Sequence, residues 1–207
     1  MIADILPIGV VAAESFGPPG DWKLSAGEAS AMATADPGRR AEFAAGRAVA
    51  RAALASLGAP AGPVLPGRAG EPQWPGGVVG SITHCAGYRA CAVTRARDVA
   101  AIGIDAEPCL ALADGLLAEV AGAAERAWLT ELSVAGPGVP WDRVLFCAKE
   151  AVYKAWYPRT GQRPGLRSMT VQVSATGTFA AALPSGHLTG RWLVGSGLIV
   201  TAVSVPR

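Results

Sequence analysis

Four side chains in this 207-residue sequence have types and spacing that suit one piece of chemistry: Asp105, Glu107, Glu150 and Lys154. The first two stand in Gly103-Ile104-Asp105-Ala106-Glu107-Pro108, at the end of a short apolar, partly β-branched run that begins at Val99. Such a run reads as a buried strand, closed by the proline. Side chains alternate across a strand, so Asp105 and Glu107 project from the same face. Two carboxylates held that close repel unless a cation sits between them. A hard divalent ion such as Mg²⁺ suits the place, because it takes oxygen ligands and keeps waters for a phosphate substrate. Downstream, Phe146-Cys147-Ala148-Lys149-Glu150-Ala151-Val152-Tyr153-Lys154 reads as a helix with Glu150 and Lys154 one turn apart on one face. Three acids with a lysine beside them are chemistry for a metal-bound pyrophosphate. A D-x-E pair alone is usually a solvated turn, and a K-E-x-x-x-K alone a surface ion pair. Their combination carries the reading.

The elements that must position these groups follow from pattern. Ile5 to Ala13 reads as a first strand, broken by Gly17-Pro18-Pro19-Gly20. Ser25 and Glu28 have capping-box spacing for a short helix to Met32. Arg39 to Leu57 is the clearest early helix, ended by Gly58 and Pro60, with Phe43, Ala50, Leu54 and Leu57 on its apolar face. Arg40, Arg47 and Arg51 line the edge of that face, either a solvated basic edge or an anion-binding stripe. Ala59 to Gly77, rich in Pro and Gly, reads as a long loop containing Arg68 and Glu71. Val78 to His84 and Arg89 to Thr94 read as a hairpin, with His84 at a strand end after the hydroxyls of Ser81 and Thr83. Gly115 to Val120 and Glu125 to Leu132 read as helical pieces. The helix from Trp141 is expected to stop at Pro158, burying Leu145, Ala148, Val152 and Trp156 and leaving Arg143, Cys147, Glu150 and Lys154 on the other side. Alternating runs at Thr170 to Val173, Thr178 to Leu183, Arg191 to Val194 and Ile199 to Val203 predict an antiparallel sheet. Element order is similar in the two halves, residues 1–98 and 99–207, and the class is α+β.

Composition removes several alternatives. Apolar residues make up 51% and charged residues 16%, which is a globular rather than a disordered balance. A net charge of +2 argues for no nucleic-acid partner, and no aromatic-interleaved basic surface adds one. Cys85, Cys91, Cys109 and Cys147 form no C-x-x-C pair, which fits free thiols in a reducing cytoplasm. Asp4 precedes the first apolar run in place of a basic region, so no signal peptide is expected. No segment reaches the about 20 apolar residues that span a bilayer, so no membrane role is expected.

With these residues in hand, the chain resembles the Sfp-type 4′-phosphopantetheinyl transferases, particularly the actinobacterial members. The matching pieces are Arg39-Arg40-Ala41-Glu42-Phe43 with Gly46-Arg47, Trp74-Pro75, Gly80-Ser81-Ile82-Thr83-His84, Gly103 to Pro108, and Phe146 to Lys154. The resemblance implies a pseudo-dimer of two similar α+β halves with the active site in the cleft between them, and a monomer would then suffice. It implies transfer of the phosphopantetheine arm of coenzyme A to a serine of apo acyl or peptidyl carrier proteins, with release of adenosine 3′,5′-bisphosphate. By matching position, Asp105, Glu107 and Glu150 would ligate Mg²⁺ or Mn²⁺, and Lys149 and Lys154 would flank the phosphates. Ser81, Thr83 and His84 would lie along coenzyme A, and Arg39 and Arg47 would read its 3′-phosphate. Arg68 is the cation left in a loop where Ala69 replaces an expected basic residue. Glu150, Lys154 and His84 are the expected catalytic groups, with Glu150 taking the serine proton directly or through water. Competing readings are a metal-dependent nucleotide pyrophosphate hydrolase and a non-catalytic domain that binds carrier proteins.

Overall fold

The computed structural model describes residues 1–60, 62–183 and 186–207. Ile2–Ile5 forms a 3-10 turn with both isoleucines buried. Strand β1 (Val11–Phe16) therefore starts later than the expected Ile5. The leading apolar residues pack beneath the sheets and do not extend a ladder. Helix α1 (Ala26–Ala31) has both bonds of its capping box, Ser25 N to Glu28 and Glu28 N to Ser25. Glu28 is fully buried and also receives Val64 N at 3.0 Å and Arg51 Nη1 at 3.1 Å, which ties the helix to the loop and to its neighbour. That neighbour is α2 (Pro37–Ser56), capped by Asp36 with Pro37 in its first turn. Its Val49, Ala50, Ala53 and Leu54 pack on Val78, Cys91 and Val93 of the hairpin β2 (Val78–Cys85) and β3 (Tyr88–Arg95). β1 completes a three-stranded antiparallel sheet in the order β1-β3-β2.

The Ala59–Gly77 loop, residue 61 aside, is ordered by its own backbone. Gln73 N donates to Leu65 O, Gly67 N to Glu71 O, and the Glu71 carboxylate accepts from Ala69 N.

β4 (Ala101–Pro108) opens the second half, followed by α3 (Leu116–Val120), α4 (Ala123–Ala135) and α5 (Trp141–Thr160). β5 (Thr170–Ser174), β6 (Thr178–Leu183), β7 (Gly186–Gly195) and β8 (Leu198–Val205) form the expected antiparallel meander. β4 joins its far edge, giving the order β4-β8-β7-β6-β5. The fold is mixed α+β.

α5 continues to Thr160 and is closed by Gly161 in the left-handed region, so Pro158 does not end it. A proline in the last turn removes only its own donor, and the remaining residues keep helical geometry. One face of α5 packs Val144, Ala148, Ala151, Val152 and Ala155 onto the five-stranded sheet. Cys147 is buried as well and sits 3.4 Å from Thr201 Oγ1, so it does not share the open face with Glu150. Close approach of α5 to β4 depends on Gly103, where a Cβ would collide with Ala151 O and Ala155 N. That approach sets Glu150 and Lys154 against Asp105.

Candidate active site

The two sheets meet along β2 and β4 without a shared backbone ladder. Side-chain hydroxyls replace it. Ser81 Oγ accepts from Ile104 N at 3.1 Å, and Thr83 Oγ1 accepts from Ala106 N at 3.0 Å. Thr83 Oγ1 then donates to Asp105 Oδ1, also at 3.0 Å. Ser81 and Thr83 are 3% and 1% exposed. An edge strand leaves its amides without partners, and these two hydroxyls satisfy them, while Ser81 also lines the adjoining cleft.

Asp105 is 5% exposed and receives Lys154 Nζ at 2.6 Å on the same oxygen that Thr83 reaches. Its Oδ2 is buried with no partner. Burial would depress the Lys154 ammonium, but the charge and hydrogen bond of Asp105, with Glu150 behind it, hold its pKa above the usual value. Glu107 accepts from Arg143 Nη1 at 2.9 Å. Glu150 is partly exposed and, among the described residues, makes no salt bridge or side-chain hydrogen bond. Burial raises the pKa of both Glu107 and Glu150, and the nearby charge of Asp105 raises each further. The charge of Asp105 is thus felt at both of the other acids.

A cleft of about 530 Å³ lies beside this group. Glu150, Tyr153, Lys154 and Tyr157 of α5 line one wall, and Arg39, Phe43 and Arg47 of α2 with His84 of β2 line the other. Trp74, held by its indole N–H on Gly80 O, residues 69–72, and Ser81 and Ile82 of β2 also belong to the lining. Arg39 Nη1 lies 3.3 Å from His84 Nε2, with Glu42 near both. Burial holds the His84 pKa below the usual value, helped by the charges of Arg39 and Lys154 and opposed by Glu42. Arg47 is buried over the Phe43 ring, its Nε donates to Val64 O at 2.6 Å, and its Nη2 has no partner. Burial lowers its pKa to about 10, which leaves it charged at neutral pH. A larger groove of about 890 Å³ lies elsewhere, between α4 and the five-stranded sheet, and contains none of the three acids.

Lys149 and Arg68, two of the expected site residues, lie away from the cleft lining. Lys149 is fully buried, with Val120 O, Glu125 Oε2, Leu166 O and Met169 O all within 2.9 Å of Nζ. It therefore clamps α5 to α3, α4 and the turn before β5 and does not flank phosphates. Adjacent helical residues diverge by about 100°, so Lys149 and Glu150 cannot both face the cleft. Arg68 is exposed and absent from the cleft lining. The Arg40–Arg47–Arg51 stripe also dissolves, because Arg51 pairs with Glu28 while Arg40 stays exposed. Sequence reasoning put Arg143 beside Glu150 but gave it no role; its position two turns before Glu150 on the same face was the available signal.

Among the described residues, no three His, Cys, Asp or Glu side chains converge as a ready-made metal cage. The donors present are nonetheless all carboxylate oxygens, and Asp105 keeps one buried oxygen unpartnered. That set fits a hard dication better than any soft metal.

Comparison with known proteins decides the family. Residues 27–94 match the model of the 4′-phosphopantetheinyl transferase N-terminal domain, and residues 101–203 match that of the 4′-phosphopantetheinyl transferase superfamily. The chain belongs to the 4′-phosphopantetheinyl transferase superfamily. Curated phosphopantetheinyl transferases resemble it over nearly its full length. Svp of Streptomyces mobaraensis is 46% identical, covering 99% of this chain and 89% of the relative. Npt of Nocardia iowensis is 41% identical over 99% of both chains. PptT of Mycobacterium tuberculosis is 41% identical over 98% of this chain and 97% of the relative. Membership in this transferase family makes the chain an enzyme, and no helix among the described residues is long and apolar enough to cross a membrane.

Proposed function

We propose that the chain moves the 4′-phosphopantetheine arm of coenzyme A onto a serine of apo acyl or peptidyl carrier proteins. The observation that carries this reading is one cleft with two chemically different walls. Arg39, His84 and the unpartnered Nη2 of Arg47 form a cationic wall suited to a nucleotide phosphate. Glu150 and Lys154, with Asp105 behind them, form the wall suited to a pyrophosphate under attack. Residues 1–98 and 99–207 act as two related halves, the nucleotide lies in the cleft between them, and a single chain holds all the groups required.

The carrier serine Oγ attacks the phosphorus that bears pantetheine. The P–O bond to the second phosphate breaks, and adenosine 3′,5′-bisphosphate leaves. Glu150 accepts the serine proton, since it is the one of the three acids with no cation bonded to it among the described residues. Lys154 stays cationic beside Asp105 and offsets charge building on the pyrophosphate oxygens. Asp105, Glu107 and Glu150 would hold Mg²⁺ or Mn²⁺, which supplies charge neutralisation at the same oxygens. Coenzyme A and carrier proteins in this scheme are cytoplasmic reactants.

Glu150→Gln is expected to abolish transfer while circular dichroism and melting stay near wild type, and Asp105→Ala to abolish it with a lower melting temperature, because Thr83 and Lys154 lose their buried partner. EDTA should do the same reversibly. Full turnover in metal-free buffer, or by Glu150→Gln, would contradict the assignment.

A further inference from the structure

Arg143 touches none of the cleft, yet its guanidinium reaches three groups at once. Nη1 donates to Glu107 Oε2 at 2.9 Å, Nε to Leu110 O at 3.0 Å and Nη2 to Ala111 O at 3.0 Å. Its neighbour Asp142 accepts from Leu112 N at 2.8 Å and from the Arg143 amide. The first turn of α5 thus binds three consecutive residues of the segment after β4, together with the second acid of the site. Arg143 and Glu107 are 18% and 21% exposed, so water screens their pairing less than it would a surface ion pair. A lysine could supply the charge but not the planar fork that holds three acceptors.

We propose that Arg143 is a positioning residue of the transfer site: it fixes the Glu107 carboxylate to the start of α5 and limits the negative charge offered to the divalent cation. This rests on the transferase reading above. Asp105, Glu107 and Glu150 bring three negative charges, and Lys154 and Arg143 offset two of them. The remaining single charge makes a weak cation site that coenzyme A phosphates then complete. Removing Arg143 exposes a second negative charge and frees Glu107 to turn. Cation binding should tighten while turnover falls, whereas a merely structural arginine would weaken both together.

The test compares wild type, Arg143→Met and Arg143→Lys. Mn²⁺ binding without coenzyme A is read by electron paramagnetic resonance, transfer by kcat and by KM for coenzyme A, folding by thermal melting, and residues 110–112 by hydrogen exchange. Arg143→Met should bind Mn²⁺ about two- to fivefold more tightly, the range expected for one partly screened charge. Its kcat should fall about tenfold to a hundredfold, as when partners of ligand side chains are removed, with KM for coenzyme A unchanged. Exchange at 110–112 should accelerate. Arg143→Lys should bind Mn²⁺ like wild type yet transfer as slowly as the Met variant. Weaker or unchanged Mn²⁺ binding in Arg143→Met, or full rescue of kcat by lysine, overturns the proposal. If wild type transfers nothing, the transferase reading has failed, and the Mn²⁺ affinities and exchange rates still decide the role of Arg143.

Discussion

Replacing Thr83 with valine tests the seam that holds the two sheets and the site together. Thr83 is 1% exposed, and its one oxygen accepts from Ala106 N and donates to Asp105 Oδ1. Valine has nearly the same shape, so no cavity is opened, but it can neither donate nor accept. Leaving a buried amide without a partner costs about 1–3 kcal/mol, and losing a hydrogen bond to a carboxylate about 1.5–3 kcal/mol. Both pass through one atom and so do not add in full. A loss of about 2–4 kcal/mol is expected, a large share of the stability of a domain this size. Urea unfolding followed by tryptophan fluorescence measures it, with an unchanged m-value showing that the denatured state is the same. Thr83→Ser keeps the hydroxyl and should recover most of the difference. Thr83→Val within about 0.5 kcal/mol of wild type, the size of an ordinary surface substitution, would refute the seam.

Other perturbations separate structural from chemical roles. Lys149→Met should cost about 3–5 kcal/mol, because Glu125 would be left charged in the core, while KM for coenzyme A in the remaining folded protein stays at the wild-type value. Arg47→Ala should raise KM for coenzyme A about ten- to a hundredfold, the loss of about 1.5–3 kcal/mol for a charged hydrogen bond, and leave that for 3′-dephospho-coenzyme A nearly unchanged. Equal losses on both would show that Arg47 serves the fold alone. For Glu14, burial would raise the pKa, but the Tyr88 hydroxyl and the Ile2 amide outweigh it and hold the value below 4.5. A depressed carboxylate adds stability above its unfolded pKa and loses it as pH falls through its folded one. Glu14→Gln should therefore be less stable than wild type at pH 7, and urea midpoints of the two should converge as pH drops below 4.5; a constant gap would contradict this.

Much of the site was legible because its residues obey local rules. Asp105 follows a β-branched run closed by proline, and Glu150 and Lys154 keep helical spacing, so both elements appear where pattern puts them. The capping box at Ser25 and Glu28 was equally plain, though nothing local reveals that Glu28 also receives Arg51 and Val64. What stayed hidden depends on contacts distant in sequence. Ser81 and Thr83 carry hydroxyls that suit a ligand or a bare strand edge equally well, and only the packing of β2 against β4 reveals that they serve the edge. Lys149 misleads because buried lysines are rare, and its four acceptors come from segments up to 29 residues away. β4 reads as a strand, but its pairing with β8 across the chain follows from which edge remains open.

The central claim is group transfer to a carrier protein, and intact-mass spectrometry tests it most directly. An apo carrier protein is incubated with this protein, coenzyme A and Mg²⁺, and its mass is read before and after. The account predicts a gain of one phosphopantetheine arm on a single serine, with adenosine 3′,5′-bisphosphate appearing in equal amount and neither forming in EDTA. An unmodified carrier beside hydrolysed or untouched coenzyme A would contradict it.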